Sequence, residues 1–197
     1  MSEAAATKPV VLDACVLADF IVADLFLRLA ESPAVLRPRW SETLLAETRR
    51  THRKLGWPEA IADSWQEVVR EHYPEARVKP DERLLHLLGN HPKDRHVLAA
   101  AIEAQAGIIV TYNLRDFPAH ALTTWGVSAV GPDAFLLKTL RRHPIEVMRC
   151  AEAMARRHSW EGLLTKWRRR LPEFAEAMEE GAGEDGGVEE EAAARCD

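Results

Sequence analysis

The sequence predicts an α/β protein, a three-layer sandwich with a central parallel sheet and a C-terminal helical extension. Three observations carry this. Short apolar runs alternate with helical patterns from Pro9 to Arg141, the arrangement that covers a parallel sheet with helices on both faces. The runs are apolar throughout, as strands buried on two faces are. After Pro144 the pattern becomes wholly helical.

Pro9-Val-Val-Leu12 is stopped by Asp13, so it reads as a buried strand that delivers a carboxylate at its C-terminal end. From Ala14 to Leu29 a helix is expected, with Leu17, Phe20, Ile21 and Leu25 on one face. Val35-Leu36 reads as a second strand. Ser41 is suited to cap a helix from Glu42 to Lys54, with Leu44, Leu45 and Thr48 inward. Pro58 opens a helix that runs to His72 and stops before Pro74, and Arg77-Val78-Lys79 reads as a short edge strand. Pro92 suits a first helical turn, and Asp94 beside it meets the positive end of the helix dipole. That helix continues through Val97, Leu98, Ala101 and Ile102 to an expected stop at Gly107. Ile108 to Thr111 is the clearest buried strand, and its end opens into Asn113 and Asp116. Val127 to Val130 is the last strand and Pro132 to Arg141 a helix. Helices are then expected over Ile145 to Arg157, Trp160 to Arg170 and Glu173 to Glu180.

A chain of 197 residues that is 47% apolar supports one domain with an appendage, and at that size roughly 70% of the unfolded surface is buried. Four segments follow: a flexible N-terminus over 1–8, the sheet domain over 9–142, a helical extension over 143–180, and an acidic tail over 181–197. The Gly, Ala and acidic composition of the tail predicts disorder. Cys15, Cys150 and Cys196 are odd in number and widely spaced, which argues against a disulfide framework and a cysteine zinc site and favours the cytoplasm. Met1 to Lys8 lacks a signal pattern, and acids interrupt each apolar stretch before about 18 residues, so neither secretion nor membrane spanning is expected. The net charge of −5 is unevenly distributed. Glu184 to Asp197 holds six acids and one base, which accounts for the whole excess, whereas Lys138 to Arg170 holds ten bases and three acids.

Open parallel sheets bind ligands beyond the carboxyl ends of their strands, where strand order reverses. Asp13 and Asp116 follow strands, and Glu47 and Asp94 lie on helices that can reach the same crevice. Should the four converge, mutual repulsion would disfavour full ionisation, and a divalent cation would relieve it. Clustered carboxylate oxygens suit Mg²⁺ or Mn²⁺, ions that activate water and stabilise a leaving oxygen in phosphodiester cleavage.

The motifs Val10-Val-Leu-Asp-Ala-Cys-Val-Leu17, Trp40-Ser-Glu-Thr-Leu-Leu-Ala-Glu-Thr-Arg-Arg50, Lys93-Asp-Arg-His-Val-Leu-Ala-Ala-Ala101 and Ile109-Val-Thr-Tyr-Asn-Leu-Arg-Asp-Phe-Pro118 each carry an acid. In this order they resemble a PIN-domain ribonuclease, and most closely the VapC-type toxins of bacterial toxin-antitoxin pairs. The resemblance spans about Pro9 to Leu140. It implies a PIN-like nuclease domain over 9–142 and an acidic metal site of Asp13, Glu47, Asp94 and Asp116, with Thr111 and Asn113 as polar support. Asp13 and Asp94 are expected as direct ligands, Glu47 as a ligand or a residue that orients water, and Asp116 as acting through a bound water. Also implied are Mg²⁺- or Mn²⁺-dependent RNA hydrolysis, inhibition by a small antitoxin protein and assembly as a homodimer. The helical extension after Leu140 departs from short members of the family. Two alternatives stand beside this reading: another metal-dependent phosphohydrolase, and a non-catalytic RNA-binding module.

Weaker features remain. Arg49, Arg50, Arg53 and Lys54 follow Glu47 on one expected helix and are candidates to hold RNA phosphates, or form a solvated face. The basic segment from Lys138 to Arg170 suits phosphate, an acidic partner or the protein's own tail. Trp160 and Trp167 share a helical face, which suits base stacking and, more commonly, packing. His91 and His96 flank Asp94 and are expected in ordinary surface or packing roles, and Cys15 as a buried inert thiol. No Gly-rich phosphate loop, G-x-S-x-G or H-E-x-x-H occurs.

Overall fold

The computed structural model describes residues 8–31 and 33–181. Apart from Lys8 and Gly181, the expected flexible N-terminus over 1–8 and disordered acidic tail over 181–197, and with them Cys196, lie outside the described residues; Gly181 ends the last helix. The chain divides into two compact units, one ending at Pro132 and one beginning at Asp133.

The first unit is a five-stranded parallel sheet flanked by helices. Its strands are β1 (Pro9–Leu12), β2 (Arg37–Ser41), β3 (Arg77–Val78), β4 (Ile108–Val110) and β5 (Ser128–Val130), in the spatial order β3-β2-β1-β4-β5. The crossovers are α1 (Ala14–Leu17) with α2 (Phe20–Arg28), α3 (Glu42–Lys54) with α4 (Glu59–His72), then α5 (Arg95–Glu103), then α6 (Ala119–Leu122). Strand order therefore reverses between β1 and β4, which opens a crevice at their carboxyl ends. Val10 pairs with Ile108 and Leu12 with Val110 in register. Val11, Leu12, Ile109 and Val110 have no exposed surface, as two covered faces require. In α5, five consecutive buried residues from Val97 to Ala101, three of them alanine, let the helix backbone approach the strands closely.

Three local expectations need correction. The second strand is Arg37–Ser41 and not Val35-Leu36, because Pro38 and Trp40 on its buried face pack while Arg37 and Arg39 face outward. The helix expected from Ala14 to Leu29 is interrupted at Ala18-Asp19: α1 ends in one turn and α2 restarts at Phe20 with the Ala23 N–H donating to the Asp19 carbonyl. Third, α5 stops at Glu103, and Gln105, at φ +51°, takes the left-handed position assigned to Gly107. By contrast α3 begins as its cap predicts, the Ser41 hydroxyl accepting the Leu44 N–H at 3.3 Å.

The second unit contains α7 (Pro132–Arg142), α8 (Pro144–His158), α9 (Trp160–Arg170) and a helix over 172–181. Its apolar core includes Val147, Ala151, Met154, Leu163 and Trp167, which packs edge-on against Phe174 at 5.2 Å between ring centres. Trp167 is thus a packing residue and not a stacking platform. A single residue, Ser159, joins α8 to α9, and its hydroxyl accepts the Gly162 N–H at 3.2 Å. A Cβ on Gly162 would meet that hydroxyl at 3.0 Å, so this tight cap favours glycine. Asp133 caps the last helix, accepting from the Phe174 N–H at 2.9 Å and the Glu173 N–H at 3.1 Å. Among the described residues, no helix is long and apolar enough to cross a membrane.

Candidate active site

Asp13 lies one residue beyond β1, and its N–H extends the ladder to the Val110 carbonyl at 3.1 Å, so the sheet itself fixes its position. The side chain is 4% exposed. One carboxylate oxygen accepts the Ala14 N–H at 2.6 Å as the cap of α1. The other accepts the Thr111 hydroxyl at 2.6 Å and the Cys15 thiol at 3.3 Å. Thr111 follows β4 as Asp13 follows β1, and its own N–H reaches the Val130 carbonyl at 3.0 Å. Asn113 contributes through its backbone, donating its N–H to the Thr111 hydroxyl oxygen at 3.0 Å. Burial, and then the Asp13 charge, push the Cys15 thiol up to about 12, which makes it a protonated donor rather than a nucleophile.

Asp94 closes a 3₁₀ turn (Pro92–Asp94) ahead of α5, and Asp116 closes another (Leu114–Asp116) after β4. The His91 N–H donates to the Asp116 carbonyl at 3.1 Å and ties the two turns together. The His91 Nδ1 atom is 3.3 Å from an Asp94 oxygen. One ligand-type atom from each of His91, Asp94 and Asp116 lies within 4.8 Å of the others. Burial, then the negative charges of Asp13 and Asp116, hold the Asp94 carboxyl above the usual carboxylate range, and His91 offsets only part of this. Asp13, Asp94 and Asp116 are therefore within electrostatic reach of one another.

Glu47 stands apart from this tightest group but is connected to it. Its carboxylate is 3.0 Å from His96 Nε2 and 3.4 Å from Arg50. The hydrogen bond from His96 holds Glu47 below its usual range, against the opposing effect of burial. Burial alone would depress His96, yet the hydrogen bond and charge of Glu47, with the charge of Asp13, raise it. Residues 91 and 96 were expected in ordinary roles; their only sequence signal is that they flank Asp94.

The basic run beside Glu47 is largely engaged. Arg49 pairs with Asp63 and, at 3.0 Å, with Glu59; Arg53 lies 3.7 Å from Glu59; Arg50 pairs with Glu47 itself. Lys54 is exposed at the end of α3.

A parallel sheet whose order reverses between β1 and β4, with Asp13, Asp94 and Asp116 at the carboxyl ends there, is the arrangement in which open α/β sheets place their ligand sites. The PIN domain family matches residues 9–115, more than half of the chain, and the chain belongs to that family. Over 57 residues it is 51% identical to "Putative ribonuclease VapC50" of Mycobacterium tuberculosis. That alignment covers 29% of this chain and 34% of the relative, so the match spans about a third of the relative's length. No solved structure matches.

Proposed function

We propose that this protein is a metal-dependent endoribonuclease that hydrolyses RNA phosphodiester bonds, and that it serves as the toxin of a toxin-antitoxin pair. The observation that carries the reading is the gathering of Asp13, Asp94 and Asp116 at the switch point, with Asp94 held protonation-prone by its neighbours. Negative charge that the protein leaves uncompensated fits a divalent cation. Carboxylate oxygens from Asp94 and Asp116 form a donor set of the Mg²⁺ or Mn²⁺ class with His91 in the same cluster, and Asp13 stands outside that 4.8 Å group but close enough for its charge to act on Asp94. When bound, such an ion supplies activation of water and stabilisation of the leaving oxygen.

The chain's own residues do the remaining work. Thr111 and the Ala14 N–H orient the Asp13 carboxylate, and the Asn113 N–H in turn orients the Thr111 hydroxyl. His96 holds Glu47 as a carboxylate, the form that orients a water or joins a cation. The tie between His91 and the Asp116 carbonyl holds the two acidic turns at a fixed separation. The likeness to VapC-type toxins supports a small antitoxin protein as partner, assembly as a homodimer, and a place in the cytoplasm. We further take Arg49, Arg50 and Arg53, where RNA phosphates displace their present carboxylate partners, together with the exposed Lys54, as a secondary RNA contact.

RNA cleavage measured with and without Mg²⁺ or Mn²⁺, in the wild type and in Asp13→Asn, tests the reading. Cleavage that requires the ion and is lost in the variant supports it; cleavage indifferent to both overturns it.

A further inference from the structure

A second feature lies at the opposite edge of the sheet from the acids. Arg37 pairs in register with Pro9 at the start of β1, and Asp13 is four residues further on, roughly 13 Å along the strand at about 3.3 Å per residue. A cavity of about 510 Å³ opens there, lined by Arg37 and Arg39 of β2, by His72 and Tyr73 from the end of α4, and by Glu31 and Glu75 among others. That volume lies within the range of small-molecule sites, roughly 300–1,000 Å³.

Charge in this cavity is arranged in an unusual way. Arg37 and Arg39 occupy alternate positions on β2, so their side chains leave the same face, about 6.6 Å apart at the backbone. Among the described residues, neither lies within ion-pair distance of a carboxylate. Among the described residues, Arg39 hydrogen-bonds the Pro38 carbonyl at 3.0 Å through Nη1, which leaves the rest of its donor fork open. Burial and the Arg37 charge lower the proton affinity of Arg39, and Glu75 offsets only part of that, so the local field at Arg39 is net positive. Glu31 is engaged by the Tyr73 hydroxyl at 3.3 Å. Nδ1 of His72 bonds the Val68 carbonyl at 2.9 Å, which leaves Nε2 as a further polar group. An exposed and a half-buried guanidinium side by side, neither in ion-pair distance of the Glu31 or Glu75 carboxylates that share the cavity, form a site for an anion with several acceptor oxygens.

We propose that this cavity binds a phosphate group, carried either by a free nucleotide or by the backbone of RNA that extends past the cleavage site. The separation of the arginines resembles that of successive phosphates on an extended strand, and the volume admits a nucleoside. The nucleotide arm is independent of the ribonuclease reading, and the RNA arm rests on it.

The test uses the full chain in the presence of a chelator and the double variant Arg37→Gln/Arg39→Gln. Two probes are titrated: ADP by calorimetry, and a short single-stranded oligouridylate by fluorescence anisotropy across a salt series. ADP binding by the wild type that is lost in the variant identifies a nucleotide. For RNA, two lost phosphate contacts lower the slope of log K against log salt by about 1.4, at about 0.7 per contact, and weaken binding at least tenfold near 0.1 M salt. Either result supports the proposal and names the source. No ADP binding together with an unchanged RNA slope overturns it, and leaves Arg37-Pro38-Arg39 as a charged, proline-blunted strand beyond the reach of β3. With the chelator removed and Mn²⁺ supplied, a dinucleotide substrate, too short to reach the cavity, is cleaved equally by both proteins if the variant is folded and the ribonuclease reading holds. An unchanged urea midpoint reports folding if it does not.

Discussion

Replacing Thr111 with Val removes one hydroxyl from the base of the acidic site. Thr111 has no exposed surface, and its hydroxyl donates to Asp13 at 2.6 Å, a bond to a charged acceptor. Loss of such a bond costs about 1.5–3 kcal/mol. The same hydroxyl oxygen accepts the Asn113 N–H at 3.0 Å, and leaving that part-buried donor unpaired adds about 1 kcal/mol. Valine nearly matches threonine in volume, so no cavity contribution enters. The sum, about 2.5–4 kcal/mol, is a large share of the roughly 5–15 kcal/mol that holds a typical domain folded. Urea unfolding of the metal-free protein, followed by tryptophan fluorescence, reads this as a midpoint lower by about 1 M or more at unchanged slope. Thr111→Ser, which keeps the hydroxyl, loses less than half as much. A Thr111→Val protein within about 0.5 kcal/mol of wild type would refute the claim that this hydroxyl fixes Asp13.

Other consequences follow from the same structure. Burial holds His52 below the ordinary imidazole value, with the Ala18 carbonyl offsetting part of the effect, while its ring stacks on Trp57 at 4.0 Å. The unfolded chain therefore takes up the proton first: stability from the neutral ring is complete above about pH 6.5 and is lost as pH falls through the folded value. Urea midpoints of wild type should drop relative to His52→Phe below pH 6.5, by about 1.4 kcal/mol per pH unit over that window, and parallel midpoints would contradict this. Cys15, pushed up to about 12, holds about one part in 10⁴ as thiolate at pH 8, so mass spectrometry should find it unmodified after brief iodoacetamide treatment of the native protein. The raised Asp94 carboxyl means that its charged form destabilises the metal-free fold at neutral pH. Asp94→Asn should therefore raise the metal-free melting temperature, and a lowered value would contradict the repulsion.

What was legible in the sequence depended on local physics. An apolar run stopped by Asp13 could be read directly, because only a buried strand joins those features, and Ser41 marked the start of α3 through a bond three residues away. β2 was misplaced because Arg37-Pro38-Arg39 has poor strand propensity. Its pairing with β1, Pro38 opposite Val10, overrides that preference. The break at Ala18-Asp19 has no glycine or proline to announce it. The four acids stood out because two of them end strands, but the pairing of Glu47 with His96 joins residues 49 positions apart, which no local spacing encodes. The engagement of Arg49 by Asp63 and Glu59 was hidden for the same reason: it depends on how α4 packs against α3.

Calorimetric titration of Mn²⁺ into the metal-free full chain, beside the same titration of Asp94→Asn and parallel assays of RNA cleavage, addresses the acidic site most directly. Wild type is predicted to bind the ion and cleave RNA, and the variant to lose at least tenfold in affinity together with cleavage. Equal affinity in the two proteins, with cleavage persisting in the variant, would contradict the assignment of the cluster as the metal-dependent centre.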